Sequence, residues 1–315
     1  QGVMLAILSK NNVEDVEPVF THPDMILGHE DFVAEVINWE SKTVNIRQLA
    51  LNLNIGLDAF VFLDDNPLEQ EQMKAECPEV AVIEFPKDSS QLPAVVAKIY
   101  DDYFLSLDVT GEDIKKTAIY QAERLRKAER ATTVSAEDFL KKLEMTMEFH
   151  FMTSNEEKRV TQLVNKTNQF NVTTKRYSEE EIHRLSTRED WDIFTVHMAD
   201  KYGDQGLVAV LILKYERKRA EIDTFLMSCR VMGRNAENEI MAQLKVLLMQ
   251  KGIQTIKASY IKTAKNAPVM DLFETLGFLL VSGKIQKNGD EKVYEANTTA
   301  LPETTGIFKM ITMGE

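Results

Sequence analysis

The chain is poor in cysteine, has no long apolar run, and shows no basic surplus. Two cysteines in 315 residues, Cys77 and Cys229, cannot build a disulfide framework, so a reducing, cytoplasmic compartment is expected. No apolar stretch approaches the ~20 residues that span a bilayer, and the first residues carry neither the basic nor the apolar region of a signal peptide. No membrane association is expected. The net charge of −13 is confined to one region: residues 1–105 hold 19 Asp and Glu against 6 Lys and Arg, leaving 31 against 31 for the remainder. Such a lobe argues against nucleic acid as its partner and is compatible with a metal-binding role.

What is there is a soluble composition, 44% hydrophobic and 28% charged, in a chain long enough for two domains. The first third reads as α/β. Short apolar runs at Val3–Leu8, Phe60–Leu63 and Glu79–Glu84 serve as first, second and third strands, separated by helical stretches toward Phe20 and ending near Leu57. Continuous apolar strands alternating with helices predict a parallel sheet covered on both faces, with ligands at the carboxyl ends of its strands. Those ends carry Ser9-Lys10-Asn11-Asn12 and Asp64-Asp65-Asn66-Pro67, with Asn38-Trp39-Glu40-Ser41-Lys42 between them. Taken alone, Asp-Asp-Asn-Pro is an ordinary turn that ends a strand, Ser9 a helix cap and Lys42 a solvated lysine. Taken in order they supply a phosphoryl-transfer site: hydroxyl and lysine for phosphate oxygens, paired acids for Mg²⁺.

A helical connector follows. Thr110-Gly111-Glu112-Asp113 resembles a capping box ahead of Ile114, Ala118, Ile119, Ala122 and Leu125 at helical spacing, and Ser135 starts a second helix. The basic cluster Arg124, Arg126, Lys127 and Arg130 is either a solvated helix face or a surface for an acidic carrier protein. From about residue 145 the pattern turns to α+β. Ser154-Asn155-Glu156-Glu157 caps a helix through Val160, Leu163 and Val164. Trp191–Met198, Gly206–Tyr215 and Glu221–Met227 read as antiparallel strands, with a turn at Tyr202-Gly203-Asp204-Gln205. The last strand feeds Ser228-Cys229-Arg230-Val231-Met232-Gly233-Arg234 and then a helix over Ala236–Gln250. A glycine loop opening a helix can receive a pyrophosphate or similar anion on its backbone N–H groups. Cys229 reads either as a small buried hydrophobe or, beside Arg230, Arg234 and that helix start, as a favoured thiolate. Cys77 has no comparable setting, and His22 and His197 are possible bases or structural residues.

The ordered series LAILSKNN, HPDMIL, NWESK, LNIG and VFLDDNP resembles the FkbH-like branch of the haloacid dehalogenase (HAD) superfamily. The second half resembles the GNAT acyltransferases through Arg230 and Gly233 of the loop and Leu276-Gly277-Phe278 after a late helix, though Asn235 stands where that family has Gly or Ala. The resemblance implies an α/β chain: a partial HAD-like (Rossmannoid) parallel sheet over residues 1–108, the connector over 109–144, and a GNAT-like α+β domain over 145–315. It also implies roles. Ser9, with Asn11 beside it, and Lys42 bind phosphate, Asp64 and Asp65 hold Mg²⁺, Cys229 carries an acyl thioester, and Arg230, Gly233, Arg234 and Asn266 bind an acyl or pantetheine group. The implied cofactors besides Mg²⁺ are CoA or phosphopantetheine. The implied partners are an acyl carrier protein and a phosphorylated three-carbon acyl substrate, a glyceryl unit from 1,3-bisphosphoglycerate used in polyketide-type assembly. One part is absent from the sequence: the strand and Asp-x-Asp motif that supply the HAD nucleophile should precede Ser9, and none follows it. A truncated protein and a degenerate homologue both account for that, and either should be a poor phosphatase. Two further readings stand beside the glyceryl transferase: a non-catalytic carrier-binding scaffold and a CoA-dependent acyltransferase.

Overall fold

The computed structural model describes residues 3–53, 55–105, 116–286 and 289–311. The chain is α/β and divides into two compact units, Gln1–Arg124 and Leu125–Glu315. The capping box expected at residues 110–113, Ile114 after it, and the expected boundary at 108/109 lie outside the described residues.

In the first unit, strand β1 (Leu5–Ser9) pairs in parallel with β2 (Phe32–Ile37), Ser9 opposite Ile37, with helix α1 (Val13–Phe20) between them in sequence. Helix α2 (Lys42–Leu53) follows, then β3 (Val61–Asp64), α3 (Pro67–Glu76) and β4 (Ala81–Glu84), with β3 and β4 again parallel. The structure corrects the strand count, because Phe32–Ile37 is a strand and Phe60–Leu63 belongs to the third rather than the second. Glu35 interrupts the apolar run Phe32–Ile37, and its carboxylate bonds with His29 Nδ1 at 2.9 Å. Asn66 caps α3, its side chain accepting from the Leu68 N–H, with Pro67 at the first helical position, so Asp-Asn-Pro does form the turn that ends β3. Among the described residues, β1–β2 and β3–β4 are separate two-stranded sheets. A cavity of about 540 Å³ is lined by consecutive residues of both strands, including Leu5 and Ala6 of β1 and Phe62 and Leu63 of β3. Side chains of consecutive strand residues point to opposite faces, so what meets this cavity is the edge of each strand rather than a face.

Helix α4 (Leu92–Ile99) follows β4, and helix α5 (Lys116–Thr132) leads into the second unit, where α6 (Ala136–Lys142) is capped by Ser135 through the Asp138 N–H. Among the described residues this unit carries one mixed sheet of eight strands, built on β5 (Thr146–Phe151), β6 (Trp191–Asp200), β7 (Gly203–Glu216), β8 (Arg219–Met227) and β9 (Thr255–Ile261). β5 through β8 are antiparallel neighbours, and β8 meets β9 in parallel. One face packs on α7 (Glu157–Lys166) and α8 (Glu179–Ser186) through Val160, Val164, Ile182 and Ile212. The other packs on α9 (Ala236–Gln250) through Ile240, Leu244, Phe194 and Phe225. Thr153, not Ser154, caps the short turn Ser154–Glu156 that leads into α7, its N–H and hydroxyl both donating to Glu156 Oε2.

Candidate functional site

The carboxyl ends of β1 and β3 hold the residues singled out for phosphate and metal. Ser41 starts α2 by accepting the Thr43 N–H, which sets Lys42 in the first helical turn. From there Lys42 Nζ reaches Asp64 Oδ2 at 2.5 Å, with the two side chains 12% and 5% exposed. Asp64 Oδ1 accepts the Asn66 N–H at 3.0 Å, and Gln70 donates to the Asp64 carbonyl at 2.6 Å. Asp65 is exposed. Ser9 lies at the end of β1, where its carbonyl accepts the Asn38 N–H, and Asn11 Oδ1 accepts the N–H of Asn12. Lys10 crosses to Glu69 on α3 at 2.6 Å, which ties the end of β1 to the turn after β3. His22, by contrast, is exposed, and its Nδ1 accepts only the nearby Asp24 N–H.

Asp64 and Asp65 offer oxygen alone, the donor set of a hard cation. An ion there shares Asp64 with Lys42, since both oxygens of that carboxylate already accept hydrogen bonds.

In the second unit, Cys229 is half-buried at the start of a short turn, Cys229–Val231, that follows β8. Gly233 (φ +74°) and Asn235 (φ +58°) both take left-handed backbone before α9 begins at Ala236. Asn tolerates that conformation where Ala does not, so the departure at Asn235 keeps the bend of the loop. The two arginines expected beside the thiol have other engagements. Arg230 donates to Ser228 Oγ and to the Gln205 carbonyl. Arg234 is buried, donating to Asp200 Oδ2 at 3.2 Å and to the Arg230 carbonyl at 2.6 Å. Arg126 grips the same Asp200 with two bonds, 2.6 and 2.8 Å, so it is no part of a solvated basic face. Arg130 lies over the Phe139 ring, and the side chains of Arg124 and Lys127 lie outside the described residues.

Sequence reasoning missed what Asn266 does. β8 and β9 pair only from Arg219 to Ile222 and then separate, and the wedge between them is filled by the chain's own Phe170–Thr173. The Val172 N–H donates to Phe225, the Met227 N–H to Phe170 and the Ile261 N–H to Val172, at 2.8–3.1 Å. Asn266, fully buried, donates to the Asn171 and Ile261 carbonyls and accepts from the Thr263 N–H and the Tyr260 hydroxyl. Its hydrogen-bonding capacity goes into holding that filler. A cavity of about 360 Å³ next to the wedge is lined by Phe170, Met232, Gly233, Glu237 and Asp271. Burial pushes the Glu237 carboxyl up, and its Oε2 is buried with no hydrogen-bond partner.

A third cluster joins β5, β6 and the cap of α7. His197 Nε2 lies 2.6 Å and His150 Nε2 3.3 Å from the same Oε1 of Glu156. Burial disfavours the charge of Glu156, yet hydrogen bonds from His197 and from the N–H and hydroxyl of Thr153, with the charge of His150, hold its carboxyl at about 2. The sequence carried His197 only as a possible base, with no sign of its partners.

No protein-family model and no curated protein matches the chain. Solved structures resemble parts of it. The ribosomal-protein-S18-alanine N-acetyltransferase of Escherichia coli is 13% identical over 49% of this chain and 94% of its own, with a TM-score of 0.39. Spermidine N-acetyltransferase from Vibrio cholerae, in complex with CoA and spermine, is 12% identical over 50% and 97%, also at 0.39. The N-terminal part of protein BF1531 from Bacteroides fragilis, containing a phosphatase domain complexed with Mg, is 35% identical over 34% of this chain and 28% of its own, at 0.32.

Proposed function

We propose that the protein is an FkbH-type acyl and phosphoryl enzyme, which takes a glyceryl unit from 1,3-bisphosphoglycerate, removes its phosphates and delivers it to an acyl carrier protein. The observation that supports this reading is the 2.5 Å contact of Lys42 with Asp64 at the carboxyl end of β3, in the motif order that begins at Ser9. In the first step the Cys229 thiolate attacks the C1 carbonyl of the acyl phosphate, the C–O bond breaks, and inorganic phosphate leaves with the electron pair. The pantetheine thiol of the carrier then takes the acyl group and returns the proton to Cys229. Removal of the 3-phosphate as inorganic phosphate consumes one water, with Ser9 and Lys42 holding the phosphate oxygens. Mg²⁺ on Asp64 and Asp65 supplies charge neutralisation for the phosphate.

A CoA-dependent acyltransferase fits less well. The cavity beside the Gly233 loop presents two acids, Glu237 and Asp271, to the anionic pyrophosphate that CoA carries and a carrier's pantetheine arm lacks. The test uses the protein as its gene encodes it, including whatever precedes Gln1, incubated with 1,3-bisphosphoglycerate, Mg²⁺ and carrier protein. Intact mass should show an acyl adduct on the enzyme, absent in Cys229→Ala, and a loaded carrier. No adduct in wild type, or an undiminished one in Cys229→Ala, sinks the assignment. A carrier that binds without ever being loaded would favour the non-catalytic scaffold.

A further inference from the structure

We infer that His150, Glu156 and His197 form a binding site for a zinc-class divalent cation, apart from the Mg²⁺ acids and from the acyl loop. The donor atoms of the three side chains lie within 4.8 Å of one another. Strand register brings them together, because His150 faces Thr195 across β5 and β6, and His197 stands two residues further along the same face. The two imidazole rings lie nearly parallel, 19° apart with centroids at 5.5 Å, so both Nε2 atoms approach a single carboxylate oxygen.

The carboxylate is fixed before any ion arrives. Glu156 Oε2 accepts from the Thr153 N–H at 2.8 Å, the Thr153 hydroxyl at 2.9 Å and the Thr195 hydroxyl at 3.2 Å, which turns Oε1 toward the imidazoles. Such outer hydrogen bonds are the usual support of a ligating carboxylate. Metal–ligand bonds of ~2.0–2.2 Å in a tetrahedron set donor atoms about 3.3–3.5 Å apart. The 3.3 Å from His150 to Glu156 already meets that spacing, and His197, at 2.6 Å, has to retreat by less than an ångström. His197 is 32% exposed, against 14% and 12% for the other two, so an ion enters from its side and keeps a position open to water. Two imidazoles and one carboxylate select Zn²⁺, Co²⁺ or Fe²⁺ over Mg²⁺. One weakness is visible: His150 Nδ1 is buried without a hydrogen-bond partner, so that ligand lacks outer support and affinity should fall by roughly 10–100-fold relative to a fully supported site.

The whole chain, stripped with chelator, is titrated calorimetrically with Zn²⁺ in millimolar Mg²⁺, which occupies the acids of the first unit. One Zn²⁺ per chain is expected, with affinity lowered by at least roughly 100-fold in His197→Gln and in His150→Gln. Co²⁺ provides a reading on wild type alone: it should give visible bands of a four- or five-coordinate ion without the near-ultraviolet band of a thiolate ligand. His197→Gln decides the matter if His150→Gln does not fold, folding being checked by circular dichroism. Absence of Zn²⁺ binding, unchanged affinity in a folded His197→Gln, or a thiolate band with Co²⁺ would overturn the site and leave a hydrogen-bonded cluster.

Discussion

Replacing Asp200 by Asn should cost the second unit about 3–5 kcal/mol, the usual loss when one member of a buried ion pair is removed. The side chain is fully buried and bonds to two buried guanidiniums, those of Arg126 and Arg234. Its Oδ2 accepts from Arg126 Nε, Arg234 and Gln205, and its Oδ1 from the other arm of Arg126 and the Tyr202 N–H. An amide keeps the shape but offers one acceptor oxygen, and two cations remain with no counter-charge. Arg234→Met makes the contrast. It removes one 3.2 Å bond and the bond to the Arg230 carbonyl but leaves Arg126 and Asp200 as a neutral pair, so about 1–2 kcal/mol is expected. The assay is urea unfolding followed by Trp191 fluorescence in a Trp39→Phe background. The chain has two tryptophans and Trp39 belongs to the other unit, so the signal then reports the second unit only. Midpoints should shift at constant m-value. If Arg234→Met costs as much as Asp200→Asn, or Asp200→Asn costs under about 1 kcal/mol, the buried triad is not what fixes Arg234. That arginine would then be open again to a ligand role.

The same approach reaches the first unit. Lys42→Met leaves Asp64 buried without its cation and should cost about 3 kcal/mol, read by Trp39 in a Trp191→Phe background; unchanged stability would count against the ion pair. For Glu237 the direction is set by burial, which raises its pKa, so the stability tied to its protonation is complete below the unfolded value near 4.3 and is lost as pH rises through the folded one. Glu237→Gln should therefore stabilise at pH 7 by on the order of 1 kcal/mol and show no gain near pH 4; an equal gain at both would refute the charge argument. Calorimetry with free CoA should detect no binding tighter than roughly millimolar, because Phe170–Thr173 occupies the wedge beside β8, and micromolar affinity would mean that this segment leaves.

The legible parts of this fold were those with a local period or a local stop signal. Ala236–Gln250 was read at its own bounds because a glycine loop precedes it and apolar residues recur along it, and the antiparallel strands of the second unit differ from expectation only at their ends. Phe32–Ile37 escaped because Glu35 breaks its apolar run, and the His29 imidazole whose bond the Glu35 carboxylate accepts comes beside it only after folding. Motif order assigns Lys42 to phosphate and Asp64 to the metal, and says nothing of the bond between them, by which the lysine occupies an oxygen expected for the metal.

The limits of sequence reading are clearest at Asn266 and Phe170–Thr173. A short polar and apolar stretch such as Asn171-Val172-Thr173 has no periodicity that distinguishes a loop over the surface from one inserted between two strands. What makes the insertion stable is the separation of β8 from β9 after Ile222, which exposes backbone donors and acceptors on both inner edges. Buried backbone groups must find partners, and here Phe170 and Val172 supply them on both sides while Asn266 satisfies the Asn171 carbonyl left over. Asn266 was expected to hold a ligand, and it holds the chain's own backbone in the place an extended ligand would take. If a carrier's pantetheine arm enters this unit along β8, it does so by exchange for that segment, so weakening the Asn266 clamp should speed carrier loading even as it destabilises the fold. Asn266→Ala tests the coupling directly: slower unfolding or slower loading than wild type would contradict it.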